Sequence, residues 1–214
     1  MYGAFDENSE LYEHWFTQNA AAYQSEVDAV GQCIPAKGCG FEIGVGTGRF
    51  SAPFGIRHGV EPSEPMRKIA LKRGIHVVSG TGEELPYHDK EFDFALMVTT
   101  ICFADDPLRC FKEAWRVLKN QGVMITGLVD KLSFLGRKYE EHKNGNVFYK
   151  DARFFSVYEV VNLMTKTGFG QFDFRQTIFG VPSQISAPEK AKPGFGKGAF
   201  IVVRGIKNST GDAA

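Results

Sequence analysis

From residue 39 onward, short apolar runs of strand length alternate with helical patterns. That alternation restricts the possible folds more than any other feature of the chain. The runs cover 39–43, 57–61, 75–78, 92–98, 123–129, 171–178 and 199–204. Ser63 is placed to cap a helix through Arg73, with Pro65 in its first turn and Gly74 as its stop. Asp106 caps the next, with Pro107 at its first position. There Leu108, Phe111, Trp115 and Leu118 share one face, and Gly122 ends it. Ser156 and Glu159 form an S-x-x-E capping box that opens 157–167, closed by Gly168. Strands alternating with helices predict an α/β fold, doubly wound, with a mostly parallel seven-stranded sheet. The connector 179–198 between the last two runs is rich in Pro and Gly and carries no helical pattern. The final strand is therefore expected as an antiparallel strand at the C-terminal edge of the sheet. Ahead of the sheet, 9–30 reads as one helix with an Ala-rich middle, ending at Gly31. Residues 1–35 are thus expected to form a helical cap segment of a single domain spanning 1–206, with a frayed polar tail at 207–214.

The chain has 214 residues, enough to bury a core without disulfides or metal. Lys plus Arg total 25 and Asp plus Glu total 25, so the basic excess of a nucleic-acid binder is missing and no nucleic-acid partner is expected. No apolar run approaches the roughly 18 residues of a spanning helix, so no membrane partner is expected either. Asp6, Glu7, Glu10, Glu13 and Glu26 make the start too acidic for a secretory or transit leader. Cys33, Cys39, Cys102 and Cys110 form no C-x-x-C pair and no zinc spacing. No metal site is expected, and free thiols suit a reducing cytoplasm.

The stretch Phe41-Glu42-Ile43-Gly44-Val45-Gly46-Thr47-Gly48 follows the first predicted strand. Its glycines permit a sharp turn and a close approach of ligand to backbone. The spacing is G-x-G-x-G, one place short of the dinucleotide fingerprint, and no Gly-Lys-Ser or Gly-Lys-Thr of a P-loop occurs. Glu42 just before the loop repels a pyrophosphate and suits a cationic group. Glu61 ends the second strand, where an acid accepts hydrogen bonds from ribose hydroxyls. After the third strand, Gly80-Thr81-Gly82-Glu83-Glu84-Leu85-Pro86-Tyr87 offers backbone N–H groups at Gly82 or Glu83 to a purine edge. Thr99 and Thr100 leave the fourth strand.

Together E-x-G-x-G-x-G, the acid ending strand two, G-x-x-E-x-L-P-Y and x-F-D resemble the class I S-adenosylmethionine-dependent methyltransferases of small-molecule type, over about residues 38–204. The resemblance implies a Rossmann-like fold and S-adenosyl-L-methionine as cofactor. It implies that Glu42 and the loop Gly44, Val45, Gly46 and Gly48 hold the methionine end. Glu61 would hold the ribose, with Pro62, Ser63 and Met66 beside the adenosine, and Gly82 and Glu83 flanking the adenine. Thr99 and Thr100 would border the sulfonium. One departure is Thr81, which stands where the family has an Asp and offers the adenine amine an uncharged acceptor.

Methyl transfer from a sulfonium mainly requires alignment and desolvation, and a base only where the nucleophile must lose a proton. No catalytic residue is therefore assigned. Asp105 and Asp130 read first as loop acids, Cys102 as a small buried residue, and His142 and Tyr149 lie in a 131–153 insertion suited to a substrate wall. Among the N-terminal aromatics Tyr12, Trp15, Phe16 and Tyr23, the hydroxyl of Tyr23 is expected to reach the methionine carboxylate. The expected activity is methylation of a small metabolite. A nicotinamide-dependent oxidoreductase and a non-catalytic cofactor-binding protein are the alternatives, and the acceptor and oligomeric state stay unread.

Overall fold

The structure, a computed structural model, describes residues 3–208. Its sheet contains β1 (Gly40–Ile43), β2 (His58–Val60), β3 (His76–Val78), β4 (Phe92–Val98), β5 (Leu118–Val129), β6 (Phe169–Thr177), β7 (Lys192–Pro193) and β8 (Phe200–Lys207). Their order is β3-β2-β1-β4-β5-β8-β6-β7, and the first five run parallel. The chain winds outward from β1 to β3, then restarts at β4 on the other side of β1. This opens a crevice beyond the carboxyl ends of β1 and β4, where α/β sheets bind ligands.

The sheet differs from the expected one in two details. It has an eighth strand, because Lys192 and Pro193 of the connector pair with Gln176 and Arg175. The C-terminal strand β8 is antiparallel as expected, but it lies one place in from the edge, between β5 and β6. Its lack of alternation explains the position: Phe200 to Val203 are all buried, so both of its faces need cover. The strand also runs through Lys207, which the sequence assigned to a frayed tail. Lys207 is buried, lies over the Trp115 ring and donates from Nζ to the carbonyls of Trp115 and Leu118, each at 2.6 Å. The rest of the proposed tail, from 209 on, lies outside the described residues.

Helices cover both faces. On one side pack α5 (Pro107–Val117) and α7 (Val157–Lys166), which meet Ala95 and Met97 of β4 in a core with Phe41, Phe111 and Phe169. On the other, α3 (Ala20–Gly31) meets Phe94, Leu96 and Val98 in a core with Phe50 and Phe200. Each such buried side chain contributes about 1.5–3 kcal/mol over its exposed state. The expected caps are in place: Ser63 accepts from Met66 N and opens α4 (Glu64–Lys72). Asp106 accepts from Arg109 N, and the Ser156–Glu159 box is reciprocal. α5 stops at Val117 rather than at Gly122. Leu118 instead begins β5 and pairs with Phe92.

The N-terminal segment is broken where one helix was expected. α1 (Gly3–Glu7) and α2 (Ser9–Gln18) precede α3, and the break falls at Asn19. Asn19 sits at φ −115° and ψ 40°, and both its backbone N–H and its side-chain amide donate to the Trp15 carbonyl. A side chain that competes for a helix carbonyl in this way ends the helix. The 131–153 insertion folds as α6 (Phe134–His142) followed by an irregular stretch. No helix of the described residues is long and apolar enough to cross a membrane.

Candidate cofactor and acceptor site

The loop after β1 is a cradle that only glycines can form. Gly44, Gly46 and Gly48 have φ of 67°, 54° and 87°. A Cβ at Gly44 would lie 2.2 Å from Thr100 Cγ2, and one at Gly48 would lie 2.3 Å from Ile75 Cδ1. Backbone bonds fasten the turn to β2, with Gly44 N and Val45 N donating to Val60 O at 2.8 and 3.1 Å. Thr100 Oγ1 donates to Gly44 O at 3.2 Å, which ties the loop to the exit of β4. The preceding residue Thr99 takes a left-handed φ of 51°, an uncommon conformation for a branched side chain that occurs at functional sites.

Glu61 closes the other side. Its Oε2 accepts from Gly46 N and its Oε1 from Ser63 N, both at 2.9 Å. Each oxygen keeps a lone pair, and the side chain lines a cavity of about 320 Å³. Burial holds the carboxyl above its ordinary range against those two backbone bonds. Glu42 lies deeper: it accepts from Ser51 Oγ, and burial pushes it up to about 8.

Seven of the expected site residues meet in this cavity: Gly44, Gly46, Glu61, Pro62, Met66, Thr99 and Thr100. The others do not line it. Val45 and Gly48 pack inward on Ala70 and Ile75, and Ser63 serves as the α4 cap. Glu42 stands behind the loop. Thr81, Gly82 and Glu83 are held by internal contacts: Glu83 Oε1 accepts from Asp105 N at 2.9 Å, and a Cβ at Gly82 would meet Ile43 and Cys110. Tyr23 requires a correction. Its hydroxyl donates to Arg49 O at 2.6 Å and its ring packs on Phe16 and Phe50, so it faces the core, away from the cavity. Tyr12 lines the cavity instead, with its hydroxyl 3.5 Å from where a Gly46 Cβ would stand.

A charge cluster fixes α2 on the cradle. Glu13 receives Arg49, Arg73 and Thr47 Oγ1, while Arg73 also donates to Thr47 O. Burial opposes the charge of Glu13, but the hydrogen bonds from Arg73, Arg49 and Thr47 outweigh it and hold the carboxyl at about 2.

The same cavity includes an aromatic chamber. Trp15, Phe16, Phe103, Tyr139, Phe148 and Tyr149 form its walls, and Glu26, Asn146 and Pro182 also reach it. The 131–153 insertion thus supplies a wall, as its position suggested. Pro182 shows that the 179–198 connector is docked and not merely solvated. It is held there by Glu189, whose N–H donates to Ser25 Oγ at 2.8 Å and whose carboxylate accepts from Phe179 N. Of the candidate bases, only Tyr149 reaches the chamber, and burial raises it well above its ordinary value. His142 is exposed on Lys138 O, Asp130 accepts from Leu132 N in a tight turn, and Asp105 is exposed. Cys102 is half-buried rather than part of the core, and desolvation pushes its thiol up to about 12, which leaves it unreactive. No local pattern in the sequence points to Tyr139 or Phe103. Glu26 does carry one, an acid among the buried positions of α3.

The cradle, the acceptor-only carboxylate at its rim and the apolar wall of Pro62 and Met66 fit an adenosyl amino-acid ligand. Comparison with known proteins agrees. A family model described as a methyltransferase domain matches residues 41–126. An uncharacterized protein of Methanocaldococcus jannaschii is 46% identical over 203 residues, 95% of this chain and 98% of its own. A crystal structure from Thermotoga maritima, described as an S-adenosylmethionine-dependent methyltransferase and possible histamine N-methyltransferase, superposes with a TM-score of 0.95. It is 54% identical and covers 97% of this chain and 100% of its own. A phosphoethanolamine N-methyltransferase of Haemonchus contortus, solved with S-adenosyl-L-methionine, shares the fold at a TM-score of 0.60 and 16% identity, covering 87% of this chain and 53% of its own. These matches set aside the nicotinamide reading, and with the cradle and Glu61 they make the chain a member of the S-adenosylmethionine-dependent methyltransferase family, an enzyme whose cofactor is S-adenosyl-L-methionine.

Proposed function

We propose that the chain methylates a small-molecule acceptor by in-line displacement, and that both reactants lie in the one cavity. The observation that carries this reading is that one cavity includes the Gly44–Gly46 cradle, Glu61, Thr99 and the aromatic chamber. The cofactor supplies, when bound, a methyl group activated by a positively charged sulfur. The chain's own residues position and desolvate. Glu61 accepts from the ribose hydroxyls, and the backbone of Gly44 and Gly46 with Thr99 and Thr100 borders the amino-acid end. Pro62 and Met66 pack against the adenosine. Tyr12 covers the cradle, held there by the Glu13 cluster one residue along α2. The chamber walls exclude water, which strengthens every electrostatic contact inside. Residues 3–207 act as one domain in this reading.

The test is a thermal-shift comparison followed by turnover. S-adenosylhomocysteine is expected to raise the unfolding temperature, and NAD to leave it unchanged, because only a ligand of the native state stabilises it. Homocysteine-based product detection is then run across amines (histamine among them), phenols, thiols and carboxylates. Stabilisation without turnover on any member would favour a cofactor-binding protein. No stabilisation would remove the site assignment.

A further inference from the structure

Glu26 stands alone in the acceptor chamber. It lies on α3, is 7% exposed, and reaches the cavity wall. No described residue gives it a hydrogen bond or an opposite charge, and burial pushes its carboxyl up to about 8. The titratable groups that face it are the hydroxyls of Tyr12 on α2, Tyr139 on α6 and Tyr149 in the stretch that follows. Among the described residues lining the cavity there is no Lys, Arg or His. A buried carboxylate without a partner is destabilising unless something supplies its counter-charge. Here none of the described residues supplies one. The rings around it offer π faces, the surface that a cation prefers. Glu26 and Glu61 in the same cavity also disfavour an anionic acceptor.

We propose that the methyl acceptor is an amine, entering as its ammonium form, whose nitrogen is bound by the Glu26 carboxylate while its body stacks among Trp15, Phe16, Tyr139 and Tyr149. This rests on the reading of the cavity as the methyl-transfer site. The arriving ammonium gives one proton to Glu26, which frees the nitrogen lone pair. A nitrogen–carbon bond forms as the carbon–sulfur bond breaks. The bonding pair stays on sulfur, and the positive charge moves to the methylated nitrogen. The proton held by Glu26 passes to water as the product leaves. A carboxyl raised by burial can hold that proton at neutral pH, which an exposed glutamate cannot.

The experiment is calorimetric titration of the full chain saturated with S-adenosylhomocysteine, which cannot react. The probes are 2-phenylethylamine, 2-phenylethanol and 3-phenylpropionate. The amine is expected to bind at least about tenfold more tightly than the alcohol, and the acid not at all. Glu26→Gln is expected to lose about tenfold or more in amine affinity while alcohol and S-adenosylhomocysteine affinities stay within about twofold. Glu26→Asp, which keeps the charge, is expected to retain the preference for amine over alcohol. It serves as the second variant if Glu26→Gln fails to fold. Equal binding of amine and alcohol by the unmodified chain overturns the proposal, as does an amine that fails to bind at millimolar concentration. Unchanged amine affinity in Glu26→Gln, or loss of S-adenosylhomocysteine affinity with the amine preference intact, overturns it too. In the last case Glu26 belongs to the cofactor. Failure of the unmodified chain to bind S-adenosylhomocysteine is a separate result, and overturns the reading of the cavity itself.

Discussion

The N-terminal helices carry two glutamates, one to the charge cluster at the glycine cradle and one to the cavity wall, and their surroundings could hardly differ more. Glu13 on α2 meets two arginines and a hydroxyl, and stays ionised down to about 2. Glu26 on α3 meets rings, and is pushed up to about 8. The same side chain on the same segment acts in one place as a fastener and in the other as an open acceptor. The cofactor end is completed by the protein itself, since Glu61 and Gly44 are also held by internal bonds. The chamber end is left electrically unfinished.

The strongest way to break this comparison is at the cofactor end. Glu61→Ala removes an acceptor of two backbone N–H groups and, in the proposed reading, of the ribose hydroxyls. At about 1.5–3 kcal/mol per charged hydrogen bond, it is expected to weaken S-adenosylhomocysteine binding about a hundredfold or more by calorimetry. A loss below tenfold would detach Glu61 from the ligand. Gly44→Ala forces a Cβ to within 2.2 Å of Thr100 at a left-handed backbone position. It is expected to cost about 2 kcal/mol or more of stability in urea unfolding.

The two glutamates are next predicted to impose opposite pH slopes on stability. Glu13 is lowered in the folded state. Its contribution is present above its ordinary 4.5 and is lost as pH falls through about 2. Glu26 is raised. Its contribution is full below 4.5 and is lost as pH rises through about 8. Urea midpoints of Glu26→Gln against the unmodified chain should therefore diverge in favour of the variant from pH 5 to 8. Parallel curves would mean that Glu26 has a counter-charge. Glu13→Gln at neutral pH should cost on the order of 1 kcal/mol or less, because its partners are partly solvated. The smallest effect is expected for Tyr23→Phe, which should leave S-adenosylhomocysteine affinity within about twofold, since its hydroxyl is bonded to Arg49 O.

The lining residues divide by whether their signal is local. Gly44, Glu61 and Thr99 were legible because a strand end and a turn fix their positions within a few residues. The caps Ser63, Asp106 and Ser156 were legible for the same reason. Tyr23 and Tyr12 were confused because the break at Asn19 turns α2 relative to α3. A continuous helix would have carried both on one axis. The 131–153 insertion was legible as a wall with Tyr149 in it, but the places of Tyr139 and Phe148 depend on contacts with α1 and Tyr149, which no local pattern reports. The inward position of β8 was hidden because pairing partners distant in sequence leave no periodicity of their own.

That inward position has a consequence for how the molecule is made. β8 is the bridge between the parallel half of the sheet and the β6–β7 hairpin edge, and it pairs with every residue of β5 from Val123 to Val129. A nascent chain must be extended through Lys207 before the two halves can be joined, so half-synthesised copies expose a bare strand margin that is prone to sticking to other chains. Any fusion or tag placed within 200–207 would strike at assembly before it touched chemistry.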